Sequence, residues 1–489
     1  MSLFLRLLSE ADKAAALGEV CGRYRAGETG QRPVDSEQQT LISGRRRANG
    51  DPRIFGVETD AFAALPGRPF AYWVSDAVQN TFQWFPAFDG EGRTVKQGLA
   101  TADDFRFVRA WWEVDLQWGV IIDQHWFPFA KGGAYSPFYG GMNLKLYWAN
   151  NGAVLKGKAE QEHGNIGKRV YNENFYFRPG LTWPRRTNGL SFRVMPQGCI
   201  FADKGPAIFV ANDAPETLLA LCALVNSKAF GMLVSVQLAR VELAQSFEVG
   251  LIQQTPVPDL SAEHQATLAA LARRAWSLKR TLDTSEETSH AFLLPAALRH
   301  RLGDYDPPAI EAELARLQAE IDAIAFDLYG FSPADRAAAQ ASQGGATPGD
   351  TAASAADDDQ DEEDQAAPID QSAGLLSWAV GVAFGRFDWR LATGERAAPP
   401  EPEPFDPLPA KSPGMLPDGA APFHGHAGIL VDDPGHPQDL ARLVEGVLET
   451  VFAAGWPETG EASAPSSRHP GASDPRSLLT DTRRRLQRE

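Results

Sequence analysis

A chain of 489 residues with 43% hydrophobic content has material for two or three cores, and no apolar run approaches the length of a membrane span. Its net charge of −17 is uneven: residues 351–489 carry 24 acidic and 11 basic side chains, the first 350 residues 39 and 35, so the acidity does not exclude a polyanionic partner for the larger part. The widely spaced Cys21, Cys199 and Cys222 exclude a disulfide framework or cysteine zinc site, and no secretory signal is visible, so a reduced, cytoplasmic protein with no membrane partner is expected.

In chain order, residues 1–52 read as a helical connector. It holds a first helix with Leu3, Leu7 and Leu8 on its apolar side, a glycine-rich turn, and a second short helix ending at Arg45, Arg46 and Arg47. Over residues 53–260, short apolar and aromatic runs broken by Gly, Pro and Asn (FAYWVSD, GCIFAD, AIFVAN) predict strands of a mixed sheet. Glu216–Gln237 within that region has the length and spacing of one buried helix. Residues 261–336 predict a helical hairpin, with Ser261 as the N-cap of its first helix and Gly330 closing its second. Residues 337–372, with seven acids in the eight positions Asp357–Asp364, predict a disordered, self-repelling linker. Globular patterning resumes over 373–455 as a small acidic α/β region, and 456–489 reads as a disordered tail. The expected fold class is α+β.

Catalytic and metal motifs are not found. Phe88-Asp-Gly90-Glu-Gly92 spells the glycine turn of an S-adenosylmethionine site, but no buried strand leads into it and no helix follows, so a hairpin turn is expected. Asp306-Pro307-Pro308-Ala309 has alanine where a base-stacking aromatic belongs, and reads as a helix cap. The acid pairs Asp103-Asp104 and Asp432-Asp433 fit solvated turns, and His424 and His426 do not make a ligand set.

The stretch Lys156–Lys204 carries the strongest functional signal. Residues 140–205 hold ten Lys or Arg against four Asp or Glu, interleaved with aromatics: Lys168, Arg169, Tyr171, Tyr176, Arg178, Trp183, Arg185, Arg186 and Arg193. Cations among flat rings suit a polyanion carrying stackable bases.

Seven segments resemble, in colinear order, one family of large proteins. They are VKQGLATADDFRFVRAWWEV, NFYFRPGLTWPRRT, FRVMPQGCIFADKGPAIF, LLALCALVNSKAF, FEVGLIQQTPVPDL, IDAIAFDLYGFSPADR and VGVAFGRFDWR. The family is that of adenine-specific DNA methyltransferases of phage defence, of the BREX or phage-growth-limitation type, related to single-chain type IIG restriction-modification enzymes.

The resemblance implies a DNA target-recognition domain, double-stranded DNA as partner, and S-adenosylmethionine as cofactor in a methyltransferase domain that precedes this region in the family. Here that domain is expected to be missing or supplied by a partner or another defence-system subunit. Carried over, the resemblance and the basic stretch assign DNA contact to Lys96, Thr101, Lys168, Arg169, Tyr176, Arg178, Thr182, Trp183, Arg185, Arg186 and Arg193. Arg106 and Arg109, beside Trp111 and Trp112, suit DNA contact or buried structural pairing equally, whereas Arg185 and Arg186, next to Pro184, are favoured as exposed. Two other readings stay open: a methyltransferase active on its own through an unrecognised site, and a Trp-rich carbohydrate-binding protein.

Overall fold

The computed structural model describes residues 2–5, 7, 10–25, 53–57, 66, 71, 74–90, 92–114, 125–238, 246–343, 371–425, 431, 433 and 436–453. Ten short strands occur among them: β1 (Ser2–Leu5), β2 (Ile54–Val57), β3 (Arg93–Lys96), β4 (Val108–Ala110), β5 (Trp126–Ala130), β6 (Leu144–Tyr147), β7 (Gly180–Thr182), β8 (Arg193–Met195), β9 (Ile200–Phe201) and β10 (Ala207–Val210). They form a β1-β2 ribbon and two four-stranded sheets, ordered β3-β10-β7-β8 and β4-β6-β5-β9. Pairing is antiparallel between these strands except for β5 and β9. With helices packed against them, the fold is α+β.

Register decides what the first sheet buries. Val95, Ile208, Leu181 and Val194 align across its four strands, and this aliphatic row faces a helical core. The neighbouring row, Lys96, Ala207, Thr182 and Arg193, falls on the opposite face because side chains alternate along each strand. Ala207, Phe209 and Met195 on that second face enclose a separate core with Phe129, Leu146 and Phe201 of the other sheet. Both faces are therefore covered. Gly98 sits at the junction, where a Cβ would lie 1.9 Å from the Phe201 carbonyl oxygen, so the QGL triplet requires glycine for this close approach.

The helices Pro215–Val225, Lys228–Gln237, Ala262–Asp283 and Pro307–Leu328 build the helical core. The single helix expected over Glu216–Gln237 is two helices bent by 66°. The break is made by Asn226, whose amide clamps the Phe192 backbone through two 2.8 Å hydrogen bonds, and by Ser227, which caps the second helix. Among the described residues no single helix is long and apolar enough to cross a membrane, and this pair lies within the core. Ser261 and Asp306 cap the two long helices, and Gly330 (φ +66°) follows the second. Those helices pack on each other and join the core of the first sheet.

Other expectations shift. The chain begins as strand β1, not helix, and then forms the helix Lys13–Arg25; the second short helix expected before residue 48 lies outside the described residues. In FAYWVSD, Val74 and Ser75 lead directly into the helix Asp76–Trp84, because the Ser75 hydroxyl accepts from the Val78 amide and so starts a helix rather than a strand. Residues 337–343 continue the helix Pro333–Gln343; the rest of the acidic linker up to residue 370 and the tail lie outside the described residues. The C-terminal region contributes the helices Gln371–Ala383, Arg390–Thr393 and Leu440–Ala453, which share a third core with Trp111 and Phe292–Leu294.

In that third region His290 is buried and stacked on Trp111, with ring centroids 4.2 Å apart. Burial, then the charge of Lys145, pushes its pKa down to about 4, so it is neutral when folded. The unfolded chain takes up this proton first. Stability from His290 is therefore full above the unfolded value near 6.5 and is lost as pH falls through about 4, by about 3 kcal/mol. Urea midpoints measured from pH 7 to pH 4 are expected to fall less steeply in His290→Phe than in the unaltered chain.

Candidate nucleic-acid interface

The structure brings several predicted site residues together, but mostly inside the fold. Lys96, Thr182 and Arg193 share the register row that faces the space between the sheets. Thr182 and Arg193 are buried there: the Thr182 hydroxyl donates to the Pro206 carbonyl at 2.9 Å, and the Arg193 guanidinium donates to the Gly132 carbonyl. Trp183 is 0% exposed and donates its indole N–H to the Phe247 carbonyl at 2.9 Å. Tyr176 is buried edge-on to Trp148 and donates its hydroxyl to the Tyr171 carbonyl. The Thr101 hydroxyl donates to the Asp104 carboxylate. These five are buried and do not form the surface expected of them. Strands covered on both faces hide their polar positions too, which alternation alone does not reveal.

The remaining members divide. Lys96 and Arg178 both lie over the Phe175 ring, at 5.5 and 5.2 Å, and Arg178 is paired with Asp213 at 2.6 Å. Arg169 pairs with Glu162 at 3.2 Å, and Arg185 lies 3.6 Å from Glu248. Lys168 and Arg186 are exposed.

A different exposed face combines rings and cations. Asp103 caps the turn Asp104–Phe107 through the Arg106 amide, which sends Phe107 into the core and leaves Phe105 89% exposed beside the exposed Arg106. Arg109 folds back over the Phe105 ring at 5.5 Å, donating to the Phe105 and Val108 carbonyls at 2.5 and 2.7 Å. Asp103 is bonded to Lys158 at 2.9 Å and Asp104 to Lys131. The Lys158 hydrogen bond holds the Asp103 carboxyl below its usual range, and this acid pair engages two lysines rather than the side chains of Arg106 and Arg109.

Tyr135, 56% exposed, stands on the loop Lys131–Asn143. Its ring lies against Gly189, where a Cβ would come within 3.2 Å, and so neighbours the loop that carries Arg186. The Ser136 amide donates to the Ser191 hydroxyl at 3.1 Å, tying the two loops together. Phe105, Arg106, Tyr135 and Arg186 are the exposed ring and arginine positions of these segments, and Arg109 is half-buried beside Phe105. Phe105 and Tyr135 were missed in the sequence reading; the glycine pairs bracketing AYSPFY were the available signal for a projecting loop.

Gly90 and Arg93 exchange backbone hydrogen bonds of 3.0 and 2.9 Å, making a hairpin turn into β3. These residues do not form the strand–turn–helix cradle of an adenosyl cofactor. Trp84 is the one mostly exposed tryptophan among the described residues.

The chain is a homologue of part of the adenine-specific methyltransferases. The adenine-specific methyltransferase PglX of Lacticaseibacillus casei (strain Zhang) is 26% identical over 295 residues, which make up 58% of this chain and 24% of that protein. BrxX of Escherichia coli O9:H4 (strain HS) is 29% identical over 246 residues, 49% of this chain and 19% of that protein. The chain thus matches a quarter or less of the length of these curated relatives. No family model matches. Among solved structures, the type IIL restriction-modification enzyme MmeI in complex with DNA aligns at a TM-score of 0.35 and 14% identity, over 52% of this chain and 35% of that one.

Proposed function

We propose that the described residues form the DNA target-recognition part of a site-specific adenine methyltransferase system of restriction-modification or BREX-type defence. Methyl transfer and S-adenosylmethionine binding belong to a domain or partner outside them. The observation that carries this reading is the relationship to PglX and BrxX. The two sheets, antiparallel but for the β5–β9 pair, support the second half of it, because a doubly wound nucleotide-cofactor site is built on a mostly parallel sheet. The face bearing Phe105, Arg106, Arg109, Tyr135 and Arg186 supplies both elements of nucleic-acid contact: arginines for phosphates and guanine edges, rings for base or sugar faces.

The test is duplex binding by the full chain at several salt concentrations. Engagement of three or four phosphates predicts an affinity loss of roughly 10²-fold between ~50 and ~200 mM salt. Binding that ignores salt, or no binding with the methyltransferase partner supplied, contradicts the reading. Saturable binding of S-adenosylmethionine to the chain alone favours the self-sufficient methyltransferase instead.

A further inference from the structure

A cleft of about 1090 Å³ opens between the loop Lys131–Asn143 and the C-terminal end of the helix Ala262–Asp283. Arg193 lines it while only 5% exposed. Two glycines make room for its guanidinium: a Cβ on Gly140 would sit 2.6 Å from Nη1, and one on Gly133 would sit 3.3 Å from Nη2. The guanidinium donates to the Gly132 carbonyl, its Nε is buried without an acceptor, and no carboxylate among the described residues pairs with it. Burial alone pushes its pKa down, to about 10, so it remains charged at neutral pH. A buried cation without a counter-ion is costly, and the cleft beside it is where an anion would relieve that cost.

Two further groups narrow the ligand. Lys279 lines the same cleft and adds a second cation; of the carboxylates that also line it, Asp104 is bonded to Lys131, and burial pushes the Asp283 pKa up, toward its neutral form. The Asn143 Oδ1 atom is buried, unpartnered and also lines it, offering an acceptor to an N–H or O–H. Two cations favour a doubly charged phosphate monoester over a carboxylate, and the volume greatly exceeds a bare phosphate while lying near the usual range for small-molecule sites. We propose that this cleft binds a phosphate ester of nucleotide size, with its phosphate on Arg193 and Lys279 and a hydrogen-bond donor on Asn143. Such a ligand is either a free nucleotide or the phosphorylated end of a nucleic-acid strand. Phe105 and Arg109 of the outer face also line this cleft, but Arg193, Lys279 and Asn143 are not among the outer-face positions, so their variants test the cleft separately.

Calorimetric titration of the full chain with deoxyadenosine monophosphate, deoxyadenosine, inorganic phosphate, and a short DNA hairpin with a 5′-phosphate or 5′-hydroxyl tests it. The monophosphate is expected to saturate and to bind at least ~10-fold tighter than deoxyadenosine. Lys279→Met and Asn143→Leu, which keep the fold by circular dichroism, are each expected to weaken it ~10-fold, and Arg193→Gln to abolish it. If Arg193→Gln fails to fold, the other two variants decide. A gain restricted to the 5′-phosphorylated hairpin identifies a strand end as the ligand, and a gain restricted to the monophosphate identifies a free nucleotide; both support the proposal. No saturation by any phosphate compound up to ~10 mM overturns it, as do unchanged affinities in Lys279→Met and Asn143→Leu, or inorganic phosphate binding as tightly as the monophosphate. Salt-dependent binding of the 5′-hydroxyl hairpin, unaltered in these variants, reports on the outer face separately.

Discussion

Trp183→Ala is expected to lower the unfolding free energy by about 4 kcal/mol, the largest effect of any single change considered for this protein. The indole is fully enclosed between the first sheet and its helical core, tilted against Phe192 at 5.4 Å. Truncation leaves a cavity and strips the Phe247 carbonyl of its 2.9 Å donor, so a lost apolar contact and an unsatisfied buried acceptor add together. Trp183→Phe keeps most of the volume and loses only the N–H, with an expected cost of about 2 kcal/mol. Urea unfolding checks both: the midpoint falls while the slope is unchanged. A Trp183→Ala protein of unaltered stability but weakened DNA affinity returns the indole to the surface role that the sequence predicted for it.

Asp388→Ala is expected to cost about 3 kcal/mol. Its carboxylate, 0% exposed, accepts from Arg390 Nε at 2.7 Å and Nη2 at 3.1 Å, from Arg396 Nη1 at 2.8 Å, and from the Arg390 amide at 3.1 Å. Removing it leaves the two half-buried guanidinium groups of Arg390 and Arg396 without their shared carboxylate. Burial by itself raises the Asp388 pKa, but the two arginines more than offset this and hold it below the usual carboxylate range. Because the folded value is depressed, its stabilisation is complete above the unfolded value near 4 and disappears as pH falls through the lower folded value. The acid limb of the urea-midpoint curve below pH 4 should therefore flatten in Asp388→Ala, a window distinct from that of His290.

The parts of the fold that the chain announces are those set by local chemistry. Ser261, Asp306 and Gly330 mark helix ends because capping is decided within a few residues, and GCIFAD and AIFVAN make β9 and β10 where the apolar runs lie. The bend at Asn226 was not legible, since it depends on the Phe192 backbone, far away in sequence. Part of the expected contact set lies inside the fold for a similar reason. Lys96, Thr182 and Arg193 lie at polar positions of strands whose second face is covered by another sheet, and nothing local reports that second layer. Phe105 is the converse case: it looks like core material, and the Asp103 cap turns it outward. The relationship to the methyltransferases was legible because it rests on several segments in order rather than on any one of these positions.

The most direct measurement is duplex affinity of the triple variant Arg106→Ala, Arg109→Ala, Arg186→Ala, determined across salt concentrations beside the unaltered chain, with folding verified by urea unfolding. DNA recognition through this face predicts about 30-fold weaker binding and a salt dependence shallower by about three counterions. Unchanged affinity and slope in a folded triple variant would show that DNA is gripped elsewhere, or not at all, and would contradict the account.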